Sequence, residues 1–433
     1  METENVNLNG KILYVGGSGP GNFTSIQEAI NAAGDGDIIF VYDDTSPYHE
    51  HIIINKSVNL IGENRKTTIV DGKCNQTEYT VIKITANHVS ISNFTINGGW
   101  EGNLDILQVS LNLGSVHSVK VANCDFLKFA SGIEMHASVS NIIISNCTFY
   151  EGNFAISTGE KGNYTVSNCT FFENTGGISI TGSNNIISNC TFFDNTSLNI
   201  MDSKGSRVLN NQFIDKSGLQ ISYSSHCMLR NNSFGRAHLI IWGHEIEEFE
   251  HYIDTSNTIL GKPLYYFYNK SDIEINKNTD YGHYYILVGC NNITIRDLNL
   301  YGSVLAFSSN ITFENCSLNE TSVWIYLHES HYNSFVNCHF QNYYPLLIEQ
   351  SCKNKILQSN FEYCEQGIQI YHSSNENLMM NCKIKGGGIH LYDAHNNSII
   401  NCKISHCKQG LEVDGNNNTI ANCNITKNIY GIF

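Results

Sequence analysis

Aromatic, acidic and histidine side chains recur at matching places in the C-terminal part of this 433-residue chain. The segments VWIYLHESHYN, LLIEQSCKN, GIQIYHSSNEN, GIHLYDAHNN and GLEVDGNNN align, and their residues alternate as in a strand with one outward face. The outward residues then form three rows: Trp324, Gln369, His390 and Glu412; Tyr326, Glu349, Tyr371, Tyr392 and Asp414; and His328, Gln350, His372 and Asp393. Aromatic rings can stack on sugar rings, while carboxylates and imidazoles can hydrogen-bond to sugar hydroxyls.

These rows predict a surface that binds a polysaccharide or a cell-surface glycan, because a contiguous patch usually marks an interaction site. The residues to which we assign sugar binding are Trp324, Tyr326, His328, Tyr371, Tyr392 and Asp414. With two carboxyl groups about 5–10 Å apart, the surface could also cleave glycosidic bonds. The candidates for acid and base are His372, His390, Asp393 and Glu412. The alternative is that aromatic residues stand here only because they favour strands.

Another acidic set recurs in the middle of the chain, where its members are 21 or 22 residues apart. The set is Glu151, Glu173, Asp194 and Asp215. Stacked in successive repeats, these like charges would lie about 5 Å apart. Bound Ca²⁺ would relieve the repulsion, since it takes several carboxylate oxygens. The column is therefore a candidate calcium site, and the alternative is a hydrated turn edge with splayed side chains.

Histidines cluster with acidic residues in two further stretches. His49 and His51 lie on one face of the strand pattern YHEH, and a later stretch contains His244, Glu245, Glu247, Glu248 and His251. Imidazoles are ligands for copper and zinc, so either stretch could hold a metal ion. A solvated loop is the alternative in both cases.

The spacing of the cysteines indicates which elements position these residues. Cys124, Cys147, Cys169 and Cys190 are separated by 23, 22 and 21 residues, and the series resumes at Cys316. Each repeat reads (G)-I-x-I-x-x-S-x-N-N-x-I-x-N-C-x-F, a set of short alternating strands between Asn, Ser and Gly turns. A leucine-rich repeat of similar length would require leucines at fixed offsets. The pattern predicts an all-β chain folded as a right-handed parallel β-helix, a solenoid.

Stacking of successive coils about 4.8 Å apart would align equivalent residues in ladders. We expect an inward aromatic ladder of Phe126, Phe149, Phe171, Phe192, Phe213 and Phe234. The cysteine column, continued by Asn211 and Asn232, should form another inward ladder. A long continuous core needs no disulfide framework, and stacked cysteines are poorly placed for one. We therefore expect reduced, buried thiols.

The ends of the chain differ from the repeats. Residues from Thr24, a candidate N-cap, to Gly34 follow the pattern of a short helix that would cap the coil. The predicted organisation is an N-terminal cap with first coils at 1–75, coils at 76–235, an insertion at 236–290 and further coils at 291–433. Because the chain ends within a repeat, and a solenoid end normally carries a polar cap, we expect it to belong to a longer protein.

The insertion breaks the period and is rich in aromatic residues. We expect 236–290 to leave the coil and pack against its side, burying Trp242, Tyr265, Tyr266 and Phe267. An apolar row on the coil exterior would need such a cover, or self-association through this stripe, because large apolar stripes rarely stay exposed. The row consists of Leu127, Tyr150, Phe172, Phe193 and Ile214.

Composition excludes several classes of function. The formal net charge is −15, which disfavours nucleic acid as a partner. No apolar stretch approaches the roughly 20 residues of a membrane helix, so we expect no membrane span.

The opening TSIQEAINAAGDGDIIFVYD, together with IIINKSVNLIGEN and TTIVDG, resembles the right-handed parallel β-helix repeat superfamily, which has the pectin lyase-like fold. The segment HYIDTSNTILGKPLYYFYN is similar to NosD-like β-helix proteins, many of which are archaeal cell-surface proteins. The resemblance implies an extracellular or cell-surface location, and in this fold a substrate cleft usually runs along one parallel face. Our leading interpretation is a structural or carbohydrate-binding surface protein. The alternatives are a polysaccharide lyase or glycoside hydrolase that uses the C-terminal face, and a NosD-like protein that handles copper.

Overall fold

The computed structural model describes residues 10–72, 79–100, 109–194, 196–235, 239–278, 284–319, 325–341 and 343–432. They form a parallel β-solenoid of about 17 turns, which confirms the predicted right-handed parallel β-helix. The chain divides into two compact units, Met1–His244 and Glu245–Phe433. Among the described residues, no helix is long and apolar enough to cross a membrane.

The coils of the first unit stack into three parallel sheets. Sheet A contains Ile12–Val15, Ile38–Val41, Asn59–Gly62, Ser90–Ser92, Lys120–Ala122, Ile143–Ser145, Thr165–Ser167, Ile186–Ser188, Arg207–Leu209 and Met228–Arg230. Sheet B contains Ile69–Asp71, Thr95–Asn97, Asp125–Leu127, Thr148–Tyr150, Thr170–Phe172, Thr191–Phe192, Gln212–Phe213 and Ser233–Phe234. Sheet C contains Ile52–Ile54, Thr80–Ile84, Val109–Leu113, Ser131–Met135, Phe154–Ser157, Ile178–Ile180, Leu198–Met201, Leu219–Ser222 and Leu239–Trp242.

The second unit has three parallel sheets of its own. Sheet D contains Ser271–Ile275, Asn291–Arg296, Thr312–Glu314, Ser334–Val336, Lys355–Leu357, Leu378–Met380, Ser398–Ile400 and Thr419–Ala421. Sheet E contains Asn299–Leu300, Ser317–Leu318, His339–Phe340, Asn360–Cys364, Lys383–Gly386, Lys403–Ser405 and Asn424–Thr426. Sheet F contains Lys262–Tyr268, Tyr284–Val288, Gly302–Ala306, Ile325–His328, Leu346–Glu349, Ile368–Tyr371, Ile389–Tyr392, Gln409–Val413 and Tyr430–Ile432. Its remaining elements are a 3-10 helix, Ile246–Phe249, and two short strands, Tyr252–Ile253 and Thr258–Ile259.

A short α-helix, Ile26–Ala32, is present where the sequence predicts one. Its N-cap is Ser25 and not Thr24, because the Ser25 side chain accepts a hydrogen bond from the Glu28 amide. The helix ends at the C-cap Ala33, one residue before the predicted Gly34. Ile26, Ala29 and Ile30 are buried, so the helix places its apolar face on the core of the first unit.

Asparagine precedes the cysteine column because the backbone turns there with a positive φ. Asn146, Asn168 and Asn189 have φ values of 53°, 53° and 54°, and Asn315 and Asn337 repeat the geometry in the second unit with 53° each. Asparagine adopts this left-handed conformation more readily than most residues do, because its short polar side chain can bond locally. The Asn-Cys pair is thus a corner followed by an inward side chain.

The inward phenylalanine ladder is confirmed. Successive rings from Phe126 to Phe234 are stacked, with centroids 4.7–5.1 Å apart and interplanar angles of 4–11°. The separations match the spacing of neighbouring strands in a sheet, about 4.8 Å. Each ring therefore packs on its equivalents in the coils above and below.

The described cysteines of the ladder are free, as predicted, and all of them except the partly exposed Cys423 are buried. The thiols donate weak hydrogen bonds to nearby carbonyls, as Cys169 Sγ does to the Ser167 oxygen at 3.2 Å. Burial raises the pKa of the Cys227 thiol to about 12. Thiolate, the reactive form, is therefore disfavoured at Cys227, which lies outside the ladder.

Where asparagine replaces cysteine in the column, its side chain links neighbouring coils. Asn211 Oδ1 accepts from the Cys190 amide at 2.9 Å, and Asn232 Oδ1 accepts from the Asn211 amide at 3.0 Å. The second unit builds a longer column in which each side-chain oxygen accepts from the preceding coil at 2.8–2.9 Å. Its members are Asn333, Asn354, Asn377, Asn397 and Asn418.

The prediction that 236–290 leaves the coil is wrong for the strands in that segment. Leu239–Trp242 runs parallel to Leu219–Ser222 in sheet C, and Lys262–Tyr268 runs parallel to Tyr284–Val288 in sheet F. Trp242, Tyr265, Tyr266 and Phe267 are half-buried members of these strands and are not buried against the side of the coil as predicted. The sequence repeat is hard to see in this segment because the cysteine column is interrupted and the strand Lys262–Tyr268 is long. Strand pairing nevertheless continues within each unit.

The apolar row on the exterior of sheet B is half-buried along its length. Tyr150 and Phe172 stack on each other with centroids 5.2 Å apart. Stacking within the row hides part of its apolar area, and self-association through it stays a prediction.

Replacing Phe171 with alanine should lower the free energy of unfolding by about 3–5 kcal/mol, because the ring is removed from a packed ladder. Phe172→Ala is the matched control: the same change one residue along the same strand, at a half-buried position. Urea denaturation of both variants measures the difference. An equal loss of unfolding free energy in both variants would show that a ring in the ladder stabilises the protein no more than a half-buried ring does.

Under native conditions, a maleimide should label Cys352 and Cys423 before the other described cysteines, because these two are partly exposed and the rest are buried. Cys74 lies outside the described residues. Mass spectrometry of tryptic peptides gives the order of labelling, and the double change Cys352→Ser with Cys423→Ser should remove the early label from the described positions. Rapid labelling of Cys147, Cys169 or Cys190 would contradict their burial.

Candidate functional site

The C-terminal rows of the sequence analysis lie on sheet F of the second unit. Strand register places Tyr326, Leu347, Gln369, His390 and Glu412 in one row across successive coils. A second row, two residues along the strands, contains His328, Glu349, Tyr371 and Tyr392. Alternate residues between these rows, such as Leu327 and Ile348, are buried in the core.

The predicted rows are therefore wrong in one coil. Tyr326 was expected beside Glu349 and lies in the row of His390, whereas His328 was expected in the third row and lies in the row of Glu349. A serine column could have fixed the register. The amides of Ser308, Ser330 and Ser351 each bond to the serine hydroxyl of the next coil at 2.8–3.0 Å.

The third predicted row is a backbone corner. Gln350, His372 and Asp393 have φ values of 47°, 51° and 49°, and Glu329, not His328, holds the equivalent place with 47°. Asp414 follows the strand Gln409–Val413, and its amide donates to the Leu391 oxygen at 2.8 Å. Trp324, assigned to the first row, lies outside the described residues.

Glu349 is the centre of one polar cluster. The Tyr326 hydroxyl donates to Glu349 Oε2 at 2.5 Å, His328 Nδ1 lies 3.7 Å from the same oxygen, and His372 Nε2 lies 3.7 Å from Oε1. His328, and after it Tyr326, hold the pKa of the Glu349 carboxyl below its usual value, although partial burial acts in the opposite direction. His328 itself is buried against the rings of Phe249 and Phe307. Glu349 is therefore a carboxylate at neutral pH.

Glu412 is the centre of a similar cluster. The Tyr392 hydroxyl donates to its Oε2, and His390 Nδ1 lies 3.0 Å from that oxygen. His390 Nε2 lies 3.1 Å from the Gly387 carbonyl oxygen, so both ring nitrogens have a polar neighbour. Tyr392 and, after it, His390 hold the pKa of the Glu412 carboxyl below its usual value. The carboxylate in turn fixes the Tyr392 ring, which lies 5.0 Å from the Tyr371 ring.

A cavity of about 270 Å³ opens beside these rings. Its lining residues are Glu365, Gln366, Gln369, Tyr371, Gly387, His390, Tyr392, Lys408 and Gln409. Gly387 stands where the neighbouring coils carry Gln366 and Gln409, so at this position the middle coil contributes backbone only. A Cβ on Gly387 would lie 2.0 Å from the Gly367 nitrogen, which makes glycine necessary at this close approach.

The structure brings together the predicted Tyr371, His390 and Tyr392, and adds residues that sequence reasoning missed. Glu365 and Lys408 line the cavity with opposite charges. Tyr343 and Tyr344 form an exposed edge-on pair with centroids 4.8 Å apart, and the Gln366 side chain donates to the Tyr343 hydroxyl at 3.1 Å. The recurring Cys-Glu-Gln-Gly and Cys-Lys-Gln-Gly sequences, with Gly-Gly-Gly between them, are the signal that could have identified this place.

The other candidate metal sites do not form ligand sets. Across the described ranges, no three His, Cys, Asp or Glu side chains meet in a group that could hold a metal ion. Glu151, Glu173, Asp194 and Asp215 are exposed and have φ values of 53–57°, so their column is a left-handed corner, and the calcium site stays a prediction. His49 Nδ1 lies 3.6 Å from Asp71 Oδ2, whereas His51 Nδ1 bonds to the Thr80 oxygen at 2.7 Å. The His244 ring lies 5.1 Å from the Tyr223 ring and is tilted to it by 34°, and Glu245 is the N-cap of the 3-10 helix that contains Glu247 and Glu248.

Comparison with known proteins identifies a family whose model matches most of the chain. A family model described as "Right handed beta helix region" matches residues 79–234, 255–386 and 301–433. A probable pectinesterase/pectinesterase inhibitor of Arabidopsis thaliana is 30% identical over 150 residues, which is 32% of this chain and 26% of that protein. The chain thus matches about a quarter of the length of this curated relative.

Solved structures with a similar course of the chain are distant in sequence. The A-module of the mannuronan C-5 epimerase AlgE6 of Azotobacter vinelandii is 12% identical with a TM-score of 0.34, over 92% of this chain and 93% of that chain. The DFA-IIIase of Arthrobacter chlorophenolicus, in complex with DFA-III, is 12% identical with a TM-score of 0.40, over 81% of this chain and 96% of that chain.

The free energy of unfolding should fall as the pH drops below about 4.5. The folded protein lowers the pKa of Glu349 and Glu412, so their contribution is present above the unfolded value and is lost as pH falls through the lower folded value. Denaturation between pH 7 and pH 3 should show a shallower decline in Glu349→Gln than in the wild type. Glu314→Gln on sheet D is the control, and an equal decline in all three proteins would contradict the role of Glu349.

Proposed function

Because the chain belongs to the right-handed β-helix family, whose scaffold does not fix an activity, we propose that it binds saccharides through the outward face of sheet F. The proposal places this face on an extracellular or cell-surface protein, in line with the NosD-like resemblance of the sequence. The ligand is a polysaccharide or cell-surface glycan that presents a sugar residue to the cavity at Tyr371 and Tyr392.

The cavity beside the paired tyrosines carries the proposal. Its volume of about 270 Å³ is close to the lower end of ligand pockets, about 300–1,000 Å³. That size suits a single sugar residue. Tyr371 and Tyr392 supply aromatic surface, while Gln366, Gln369 and Gln409 supply amide donors and acceptors for hydroxyl groups.

The electrostatics support binding rather than cleavage. The rows place Glu349 and Glu412 three coils apart, or about 14 Å along the solenoid axis. The paired carboxyl groups of glycosidases are only about 5–9.5 Å apart. A general acid also needs a raised pKa, whereas the pKa of each of these carboxyls is lowered. Both groups serve to hold tyrosine and histidine side chains in place.

The double change Tyr371→Ala with Tyr392→Ala should weaken binding of oligosaccharides by at least about tenfold, since aromatic anchors dominate such sites. A glycan array first identifies which oligosaccharides the wild type binds. Calorimetric titration with cello-, xylo-, manno-, laminari- and galacturono-hexasaccharides then measures the affinity of each protein. Tyr332→Ala is the matched control, since this tyrosine is 54% exposed, lies in the same unit and is not part of the cavity lining.

The same samples are assayed for release of reducing ends. Unchanged affinity in the double variant would remove the sheet F face from consideration. Release of reducing ends by the wild type, abolished by Glu412→Gln, would replace the binding function with the lyase or hydrolase alternative.

A further inference from the structure

The first unit contains a cavity of its own on sheet C, and no candidate residue of the sequence analysis lines it. Its volume is about 390 Å³, and its lining includes Ser131, Glu134, Asn153, Phe154, Ser157 and Ser179. The residues come from three neighbouring coils. None of them belongs to the rows of sheet F or to the acidic column.

The register of sheet C makes this lining. Asn112, Glu134, Ser157 and Ser179 are direct neighbours across successive strands. Because neighbouring strands lie about 4.8 Å apart, the Glu134 carboxylate and the two serine hydroxyls form a continuous polar row. Such a row presents three hydrogen-bonding side chains to the cavity.

Four polar side chains of the cavity have no partners within the described part of the protein. The Ser131 hydroxyl is buried without a hydrogen bond. The Glu134 carboxylate and the hydroxyls of Ser157 and Ser179 likewise make no hydrogen bond or ion pair with any described residue. Unpartnered polar groups at a concave surface are costly unless water or a ligand satisfies them. The only charge among the described lining residues is the negative charge of Glu134.

Phe154 adds an aromatic surface at the edge of the cavity. It is 48% exposed, although a large apolar side chain in a strand is usually covered. Gly176 of the next coil lies against the ring: a Cβ there would be 2.7 Å from Phe154 Cδ1. Gly176 does not have a left-handed φ, so the backbone conformation does not require glycine there. The missing side chain instead leaves space for the Phe154 ring. Asn153 is held by the Thr175 hydroxyl at 2.6 Å, which fixes the start of this strand.

We infer that this cavity is a second saccharide site, which binds a neutral sugar residue stacked on Phe154 with its hydroxyls bonded to Glu134, Ser157 and Ser179. A carboxylate accepts hydrogen bonds from hydroxyl donors, and the serines can both donate and accept. A uronic acid residue would place a second negative charge beside Glu134 without a lining cation to offset it. The site is independent of the one on sheet F, since the two share no residue.

The test uses the full chain with Tyr371→Ala and Tyr392→Ala as background, so that binding on sheet F is removed. Neutral cello-, xylo-, manno- and laminari-hexasaccharides and anionic hexagalacturonate are titrated by calorimetry. Phe154→Ala removes the stacking surface, Gly176→Ala displaces the ring without removing a contacting atom, and Glu134→Gln removes the charge. Tyr223→Ala is the control, an exposed tyrosine of the same unit outside the cavity. Thermal unfolding confirms that each variant is folded.

The expected result is that at least one neutral hexasaccharide binds the background protein and hexagalacturonate does not. Phe154→Ala should weaken that binding by about tenfold or more, Gly176→Ala and Glu134→Gln should weaken it as well, and Tyr223→Ala should leave it unchanged. Absence of neutral binding in the background, unchanged affinity in Phe154→Ala, or preference for hexagalacturonate would each overturn the inference. The site on sheet F is tested separately, by comparing the affinity of the wild type with that of the double variant Tyr371→Ala and Tyr392→Ala. None of the outcomes above changes that comparison.

Discussion

Hydrogen bonding of each coil to the next is the constraint on which the rest of the structure depends. The amides of Thr148, Thr170 and Thr191 donate to the carbonyl oxygens of Cys124, Cys147 and Cys169 at 2.9–3.0 Å. Because every coil both donates to one neighbour and accepts from the other, equivalent residues must have the same backbone geometry. The same requirement fixes the left-handed corners, where asparagine recurs, and stacks the phenylalanine rings at the spacing of the strands. Side-chain identity in the core follows from backbone repetition.

The sequence predicted the features that repeat in every coil and failed at those that do not. The Cys124 and Phe126 columns could be found because their period is nearly constant and their residues are large or distinctive. The register of the strand that contains Tyr326 could not be predicted, because its coil lacks the Gly-Ile sequence with which later repeats begin. The aromatic strand Lys262–Tyr268 was predicted to belong to an insertion because the sequence repeat is interrupted there. Its hydrogen bonding to the next strand, which places it in the coil, is visible only in the structure. Corner geometry likewise accounts for Glu151 and Glu173, which were predicted as metal ligands on spacing alone.

Both cavities arise where a repeat departs from its consensus. On sheet F, Gly387 replaces the glutamine of the flanking coils, and on sheet C, Gly176 leaves room for the ring of Phe154. Each cavity needs residues from several coils, so no single repeat encodes it. The scaffold supplies rigid spacing, and small local losses of side-chain volume create the concave surface. Glu349 and Glu412 show the complementary effect, because each carboxylate holds polar side chains that the strands bring together.

The buried asparagine column also determines how the molecule would age chemically. In each coil the side-chain oxygen accepts from one neighbour, while the nitrogen donates to a carbonyl, as Asn354 Nδ2 does to the Ser330 oxygen at 3.0 Å. Spontaneous deamidation to aspartate would keep the acceptor, remove the donor and direct a negative charge at a buried carbonyl oxygen. One such event would remove a hydrogen bond between coils from within the core. The hydrogen bonds of this column therefore depend on each of its amides remaining intact.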